Sequence, residues 1–401
     1  MVSVADILEL PNGSRFYRAD LHVHSFPASH DVADSTMTPQ RIIQTAVAEN
    51  LDVIALTDHN EISNVEAALA AAETTSLLVV PAVELSTPQG HLLCYLPTYD
   101  ALQSFFGRLD LADRGTQNSR CQTSTLECLQ VLSELGGFGI LAHVDAPSGF
   151  ETENPGNSPH KKDVLCHSAL LAIELKSAAS MISFADTDPD PDRANVGRER
   201  ITRLKLGSKQ FLARVLNSDA HTVNSLGRNA QGDKKVTRIK MQQPSFEALR
   251  IALLESDARV RIEDQIPVAV PFVLGVGLNG GFLDSQFIHL CSNLNCIIGG
   301  RGTGKSTTFE AVRCLSGQPS SSDIVDSEIW PSQLDLFWHD QAGVSHTLSR
   351  PLNGILENIF DPISGPVTFH IETYGQGETA RISRQAQQNP IALLSFLDRF
   401  V

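Results

Sequence analysis

Two histidines one residue apart, His22 and His24, end a short apolar stretch at residues 16–23, which reads Asp20-Leu21-His22-Val23-His24. Side chains alternate faces along an extended chain, so both imidazoles project to the same side and can grip one ion. The pattern recurs. Residues 51–57 run into Asp58-His59, residues 77–83 into Glu84 and residues 139–142 into His143; residues 170–175 carry Glu174, and residues 211–217 lead to Asp219-Ala220-His221. His30, Asp31 and His91 lie close to the same stretches. Imidazoles mixed with carboxylates suit Zn, Mn or Fe and not Mg alone. Neighbouring ions of this kind generate hydroxide near neutral pH and clamp the attacking and leaving oxygens of a phosphoryl transfer. Phosphoester hydrolysis is the chemistry that this residue set points to.

A second group stands apart. Gly299-Gly300-Arg301-Gly302-Thr303-Gly304-Lys305-Ser306-Thr307 fits GxxxxGK[ST], the phosphate-binding loop. Gly299, Gly302 and Gly304 would let backbone N–H groups wrap the phosphates of ATP at a helix N-terminus. Lys305 would reach the β/γ-phosphates, and Ser306, followed by Thr307, would ligate Mg²⁺.

These residues need elements that bring them together. Up to about residue 265, short apolar strands alternate with helical segments, the grammar of a parallel α/β architecture. In a barrel of parallel strands the C-terminal strand ends converge on one mouth, so residues more than 190 positions apart would meet there. Thr38-Pro39 is a helix start for residues 40–50; residues 65–72, 124–135 and 245–256 are further helices by period. Residues 145–163 and 185–194, rich in Pro, Gly, Asn and Asp, read as loops. Residues 258–262 form a closing strand, and Pro267 and Pro271 mark a boundary. Beyond it, residues 294–298 read as a strand before the glycine-rich turn and 304–315 as a helix. Residues 334–338 and 344–350 read as a hairpin, 367–373 as a strand and 391–400 as a helix.

The bulk numbers agree with a two-domain chain. It has 401 residues, 42% hydrophobic and 19% charged, which is the balance of a globular protein. No signal-peptide pattern or membrane-length apolar run is expected. Seven cysteines without a CxxC pair fit reduced thiols in a cytoplasmic protein. A net charge of −15 argues against general stickiness to nucleic acid, yet residues 193–261 carry +9 against −24 for the remainder. That block either holds a polyphosphate backbone or is a set of solvated helix faces.

The six strand-end motifs, Asp20-Leu21-His22-Val23-His24-Ser25, Thr57-Asp58-His59-Asn60, Val83-Glu84-Leu85, Gly90-His91, Ala142-His143 and Ser218-Asp219-Ala220-His221, resemble in order those of the PHP (polymerase and histidinol phosphatase) superfamily. The resemblance implies a distorted (β/α)7 barrel over residues 1–265 holding two or three divalent ions. Carried over, His22, His24, Glu84 and Asp219 would hold one ion. Glu84 would share a second with His91 and His143. His59 and His221 would hold a third, completed by His30 or Asp31. Asp58 would orient a ligand imidazole, Lys176 is a candidate for binding phosphate, and His160 and His167 stand outside the pattern.

Residues 266–401 resemble the N-terminal half of the SMC and RecF class of ABC-type ATPase heads. Tyr374-Gly375-Gln376-Gly377-Glu378 looks like their Q-loop, placing Gln376 on Mg²⁺ or the attacking water. Arg301 replaces the asparagine common there, and neither a Walker B strand nor a signature motif follows. The chain is therefore expected to be truncated or completed by another polypeptide, with ATP bound and little hydrolysed. Such heads work as dimers. The whole order is similar to TrlF-type PHP–ATPase fusions, which resemble nucleic-acid processing or defence proteins. The leading expectation is a metal-dependent nuclease on DNA or RNA, coupled to an ATP-binding module. A small-molecule phosphatase of histidinol-phosphatase type, or an ATP-gated scaffold with a structural metal site, is the alternative.

Overall fold

The computed structural model describes residues 2–262, 271–292, 294–316, 328–367, 371, 373–374, 384 and 391. The chain divides into two units, Ser14–Ile266 and the combination of Met1–Gly13 with Pro267–Val401. The first 13 residues therefore do not belong with the metal-binding stretches, as a 1–265 domain would have it. Ser3 caps the five-residue helix Val4–Leu8. Too short to bury Ile7 alone, this helix packs it beside Leu274 and Phe337 of the second unit.

In Ser14–Ile266 a nine-stranded sheet carries the site. Its strands are β1 (Arg15–Val23), β2 (Val53–Leu56), β3 (Leu78–Thr87), β4 (Gly90–Tyr95), β5 (Phe138–Leu141), β6 (Leu170–Glu174), β7 (Ala213–Val215), β8 (Thr237–Met241) and β9 (Val260–Arg261). The order across the sheet is β9-β8-β1-β2-β3-β4-β5-β6-β7. The pairs β1–β2, β2–β3, β5–β6 and β6–β7 are parallel. β4 runs antiparallel to both neighbours, and β8 antiparallel to β1. The first seven strands nearly close on themselves. Beyond β7, Ala220 pairs in parallel with Val23, and the Asp219 N–H donates to the His22 carbonyl at 3.0 Å. β8 pairs only with the first half of β1, from Arg15 to Ala19. The result is a parallel-rich, barrel-like α/β sheet in which β4 and β8 run in reverse.

β2, β5 and β6 are buried at every position and apolar but for Glu174, as strands covered on both faces must be. Alternation sends Ile54 and Leu56 outward against Ile42 and Ile43 of helix Pro39–Ala48. Val53 and Ala55 go to a second cluster with Phe138 and with Leu249 of helix Phe246–Leu254. Thr38, Ser124 and Ser245 each cap a helix by accepting from a backbone N–H one turn on. Residues 145–163 are not wholly loop. They contain the helices Phe150–Glu153 and Pro159–Leu165, tied by Lys161 Nζ to the carbonyls of Asn154 and Gly156.

In the second unit, β10 (Phe272–Asn279), β11 (Gln286–His289), β12 (Gln333–His339), β13 (Ser345–Pro351) and β14 (Glu357–Asn358) form an antiparallel sheet, ordered β11-β10-β12-β13-β14. Helix Lys305–Leu315 packs Ala311 and Leu315 against Leu334, Leu336 and Leu348. The β12–β13 hairpin lies where the sequence predicts it. The strand expected at 294–298 does not form. Leu294 and Ile298 are 85% and 90% exposed, and no described strand pairs with this segment. A strand without a neighbour leaves its backbone N–H and C=O groups unmatched, so apolar composition alone cannot hold it extended. Gln376, and most of the strand and helix expected at 367–373 and 391–400, lie outside the described residues. No described helix is long and apolar enough to cross a membrane.

Candidate metal centre

The strand-end residues of Ser14–Ile266 meet at one mouth of the ring. β1 has one residue more than β2 between Asp20 and Val23, a bulge that re-aims side chains beside the site. His22 and His24 are fully buried, with their Nε2 atoms 3.1 Å apart. Glu84, fully buried in β3, puts Oε2 at 3.0 Å from His22 Nε2 and 3.3 Å from His24 Nε2. Asp219 Oδ1 is 3.5 and 3.2 Å from the same nitrogens. The second oxygen of Glu84, Oε1, meets His91 Nδ1 at 2.8 Å and His143 Nε2 at 3.4 Å. One carboxylate thus faces two sets of imidazoles through two different atoms.

A third group forms around Asp31, whose Oδ2 is 3.3 Å from His59 Nε2 and 2.9 Å from His221 Nε2, with His24 alongside. His30 does not take that place. Its ring centre stands 5.4 Å from that of His59, and Asp31 supplies the converging oxygen. His91 reaches the mouth for a reason that the parallel-barrel rule does not contain. β4 runs backwards, so the residue at its start lies level with the ends of its neighbours.

Two of these residues hold strained backbone. His143 and Asp219 have φ of +26° and +57°. For side chains other than glycine this costs roughly 1–3 kcal/mol each and persists only where surroundings enforce it. Here the His143 N–H donates to Glu174 Oε2 at 3.0 Å, and Asp219 N–H to the His22 carbonyl.

Glu174 is the functional residue that motif reading passes over. It sits at the end of β6, nearly fully buried. Its carboxylate accepts from His22 Nδ1 at 2.9 Å and from Asn217 Nδ2 at 2.9 Å, besides the His143 amide. Its strand-end position is legible in the sequence, but none of the six motifs contains it or gives it a role.

The donor set fits a cation. With Nδ1 of His22 donating to Glu174, a neutral ring aims its Nε2 lone pair at the lone pairs of Glu84 Oε2 and His24 Nε2. That arrangement repels unless positive charge sits among the atoms. Burial opposes charge on His22, but Glu174, Glu84 and Asp219 outweigh it and hold its pKa well above the usual range. Burial pushes His24 down to about 4, which keeps it neutral, the form that ligates metal. The buried Nδ1 atoms of His59 and His143 take no hydrogen-bond partner among the described residues. Divalent ions would satisfy the nitrogens and carboxylate oxygens that converge on Glu84.

Residues 20–163 match the PHP domain. No curated protein matches the chain by sequence. Among solved structures, the lesion-specific endonuclease PfuEndoQ of Pyrococcus furiosus aligns at 17% identity and TM-score 0.45, covering 66% of this chain and 62% of that one. A complex of Endonuclease Q with a 27-mer duplex carrying an abasic lesion aligns at 16% and 0.45, covering 62% and 58%. PsfC from Pseudomonas syringae aligns at 17% and 0.36, covering 63% and 93%. The chain thus spans about three fifths of the length of the two endonuclease chains.

Other residues of Ser14–Ile266 fall less simply. Asp58 touches no imidazole through a hydrogen bond. Its carboxylate accepts from the Ser25 N–H at 2.5 Å and the Ser25 hydroxyl at 2.6 Å, so it braces the turn after His24. Burial raises its pKa to about 7. Asp20 does the same for the Asp219 loop, accepting from Ser218 and from the Gly227 N–H. Lys176 is exposed, with Nζ 3.9 Å from Asp219 Oδ2, at the edge of the centre. Part of the basic block at 193–261 is engaged within the fold. Arg193 pairs with Asp188, Arg203 with Asp163 and Glu199, and Arg228 and Lys234 with Glu49, while buried Arg200 donates to the carbonyls of Leu165, His167 and Leu170.

In the second unit Gly299, Gly302, Gly304, Lys305, Ser306 and Thr307 curl into the start of helix Lys305–Leu315. Gly302 and Gly304 have φ of +79° and +85°, a conformation that glycine tolerates. Lys305 Nζ folds back onto the carbonyls of Gly299 and Gly300.

Proposed function

We propose that Ser14–Ile266 is a multinuclear metal-dependent phosphoesterase acting on nucleic acid, a nuclease. The observation that carries this reading is the two-sided placement of Glu84. Its Oε2 lies among His22, His24 and Asp219, and its Oε1 against His91 and His143. His22, His24, Glu84 and Asp219 would hold one ion; Glu84, His91 and His143 a second; Asp31, His59 and His221 a third. Bound Zn, Mn or Fe would supply hydroxide near neutral pH and stabilise charge on phosphate oxygens. The chain itself contributes the geometry. Glu174 fixes the His22 ring and the His143 backbone, Asp58 and Asp20 brace the loops on either side, and Lys176 stands where it can attract a phosphate toward Asp219.

The second unit is read as an ATP-binding module coupled to this activity. The left-handed glycines and the lysine lying on the loop carbonyls support that reading. A dimer through this unit, or a partner that completes it, belongs to the same proposal.

The test is a substrate panel with metal analysis. Purified protein should contain Zn, Mn or Fe and cleave labelled single-stranded DNA or RNA, and Asp219→Asn should abolish cleavage. Cleavage of a small phosphomonoester alone would favour the phosphatase instead. Protein that neither binds metal nor responds to chelation would leave only a scaffold.

A further inference from the structure

Beside the metal centre opens a cavity of about 480 Å³, within the range of roughly 300–1,000 Å³ typical of pockets for small organic ligands. One wall is the metal centre itself, with Asp31, His59 and His91. The lining also includes Glu153, and Gln117 and Arg120 from the excursion between residues 107 and 124 that no strand-end motif covers. Arg120 is exposed, and its Nη1 donates to the carbonyls of Ser119 at 2.7 Å and Gln117 at 3.3 Å. Those two bonds pin the guanidinium by one nitrogen. Nε and Nη2 remain for a ligand, and they form the edge that takes an oxyanion with two parallel bonds.

Arg120 differs in its pairing from its sequence neighbour Arg114. Arg114, a few residues away, pairs with Glu61 at 3.1 Å; Arg193 pairs with Asp188 at 3.0 Å. Arg120 makes no ion pair among the described residues, although the chain carries a net charge of −15. Lys176, the other cation at the mouth, stands at Asp219 and does not line this cavity. A monoester has one phosphate, and the metal centre would take it. An arginine lining the same cavity offers a site for a second anionic group of the substrate.

We propose that Arg120 forms a subsite for the phosphate next to the scissile one, so that the substrate is a phosphodiester-linked chain and not a lone phosphomonoester. This rests on the phosphoesterase reading above. It adds the residue that would select for a phosphate next to the scissile one.

The experiment uses the full chain with its metal, wild type against Arg120→Ala and Arg120→Lys. The substrates are a labelled single-stranded oligonucleotide and bis(p-nitrophenyl) phosphate, which offers a scissile diester but no neighbouring phosphate. Arg120→Ala should lower kcat/KM on the oligonucleotide about tenfold or more, mainly through KM, and much less on the small diester. Arg120→Lys, which keeps the charge without the planar fork, should fall between. Oligonucleotide binding by anisotropy should weaken in parallel, with the salt slope falling by about 0.7 for the one lost phosphate contact. Equal losses on both substrates, or none on either, would overturn the subsite. If the wild type binds the oligonucleotide through Arg120 but cleaves nothing, the subsite stands and the phosphoesterase reading fails. If it neither binds nor cleaves, both fall.

Discussion

Glu174 Oε2 lies 2.9 Å from Nδ1 of His22, and solvent reaches neither side chain. The bond fixes which ring nitrogen faces the centre, because a carboxylate on Nδ1 leaves Nε2 to ligate. Glu174→Ala should therefore lower metal affinity by roughly 10- to 100-fold although Glu174 would touch no ion. Glu174→Gln, which keeps an acceptor but not the charge, should lie between. Metal titration of the three proteins checks this; unchanged affinity in the alanine variant would make Glu174 a packing residue only.

Metal removal should destabilise Ser14–Ile266. Without cations, the carboxylates of Glu84, Asp219 and Asp31 crowd the same few ångströms as six imidazoles, and two buried ring nitrogens take no hydrogen bond among the described residues. Free metal at 1,000 times its dissociation constant stabilises a folded unit by about 4 kcal/mol. At about 2–4 °C per kcal/mol for a unit of this size, chelation should lower Tm by roughly 10 °C. Calorimetry with EDTA, followed by added Mn or Zn, measures the shift. A transition that ignores both would sink the metal assignment.

Gly149 supports the centre from behind. A Cβ there would lie 2.3 Å from the His143 carbonyl and 2.6 Å from that of Val144, both backbone atoms with little room to move. Gly149→Ala should therefore displace the already strained His143, costing about 1–3 kcal/mol of stability. It should also weaken the metal position that uses this imidazole. Thermal melts and metal stoichiometry together test it: normal stoichiometry with normal stability would mean that the loop yields freely.

Much of this site was legible because each ligand is a short word at the end of an apolar run. His22, His24, His59, Glu84 and Asp219 need only the alternation of a strand and the convergence of a barrel. Three features escaped for physical reasons. The reversal of β4 depends on which strands pair, which no local pattern encodes, so the position of His91 at a strand start was not foreseen. Asp58 and Glu174 are both acids at strand ends, and only their partners tell them apart: one braces Ser25, the other a ligand. Between His30 and Asp31, it is the Asp31 carboxylate that lies 3.3 Å from His59 Nε2, a distance that adjacent positions in one turn do not reveal. In the second unit, apolar composition at 294–298 suggested a strand, whereas pairing decides whether a strand exists.

The phosphate-loop lysine provides the last prediction. Lys305 Nζ is held by the carbonyls of Gly299 and Gly300, so ATP bound as proposed would replace those two bonds by contacts to phosphate. The exchange favours ATP because a charge-assisted bond to phosphate is stronger than one to a neutral carbonyl. Lys305→Ala removes the cation while leaving Gly302 and Gly304 in their left-handed turns. Binding of a fluorescent ATP analogue should fall at least tenfold, corresponding to about 1.4 kcal/mol. Metal content should stay unchanged, since every candidate ligand lies in Ser14–Ile266. Equal nucleotide binding by variant and wild type would show that the loop is not a phosphate site. Loss of metal would show that the two units do not fold separately.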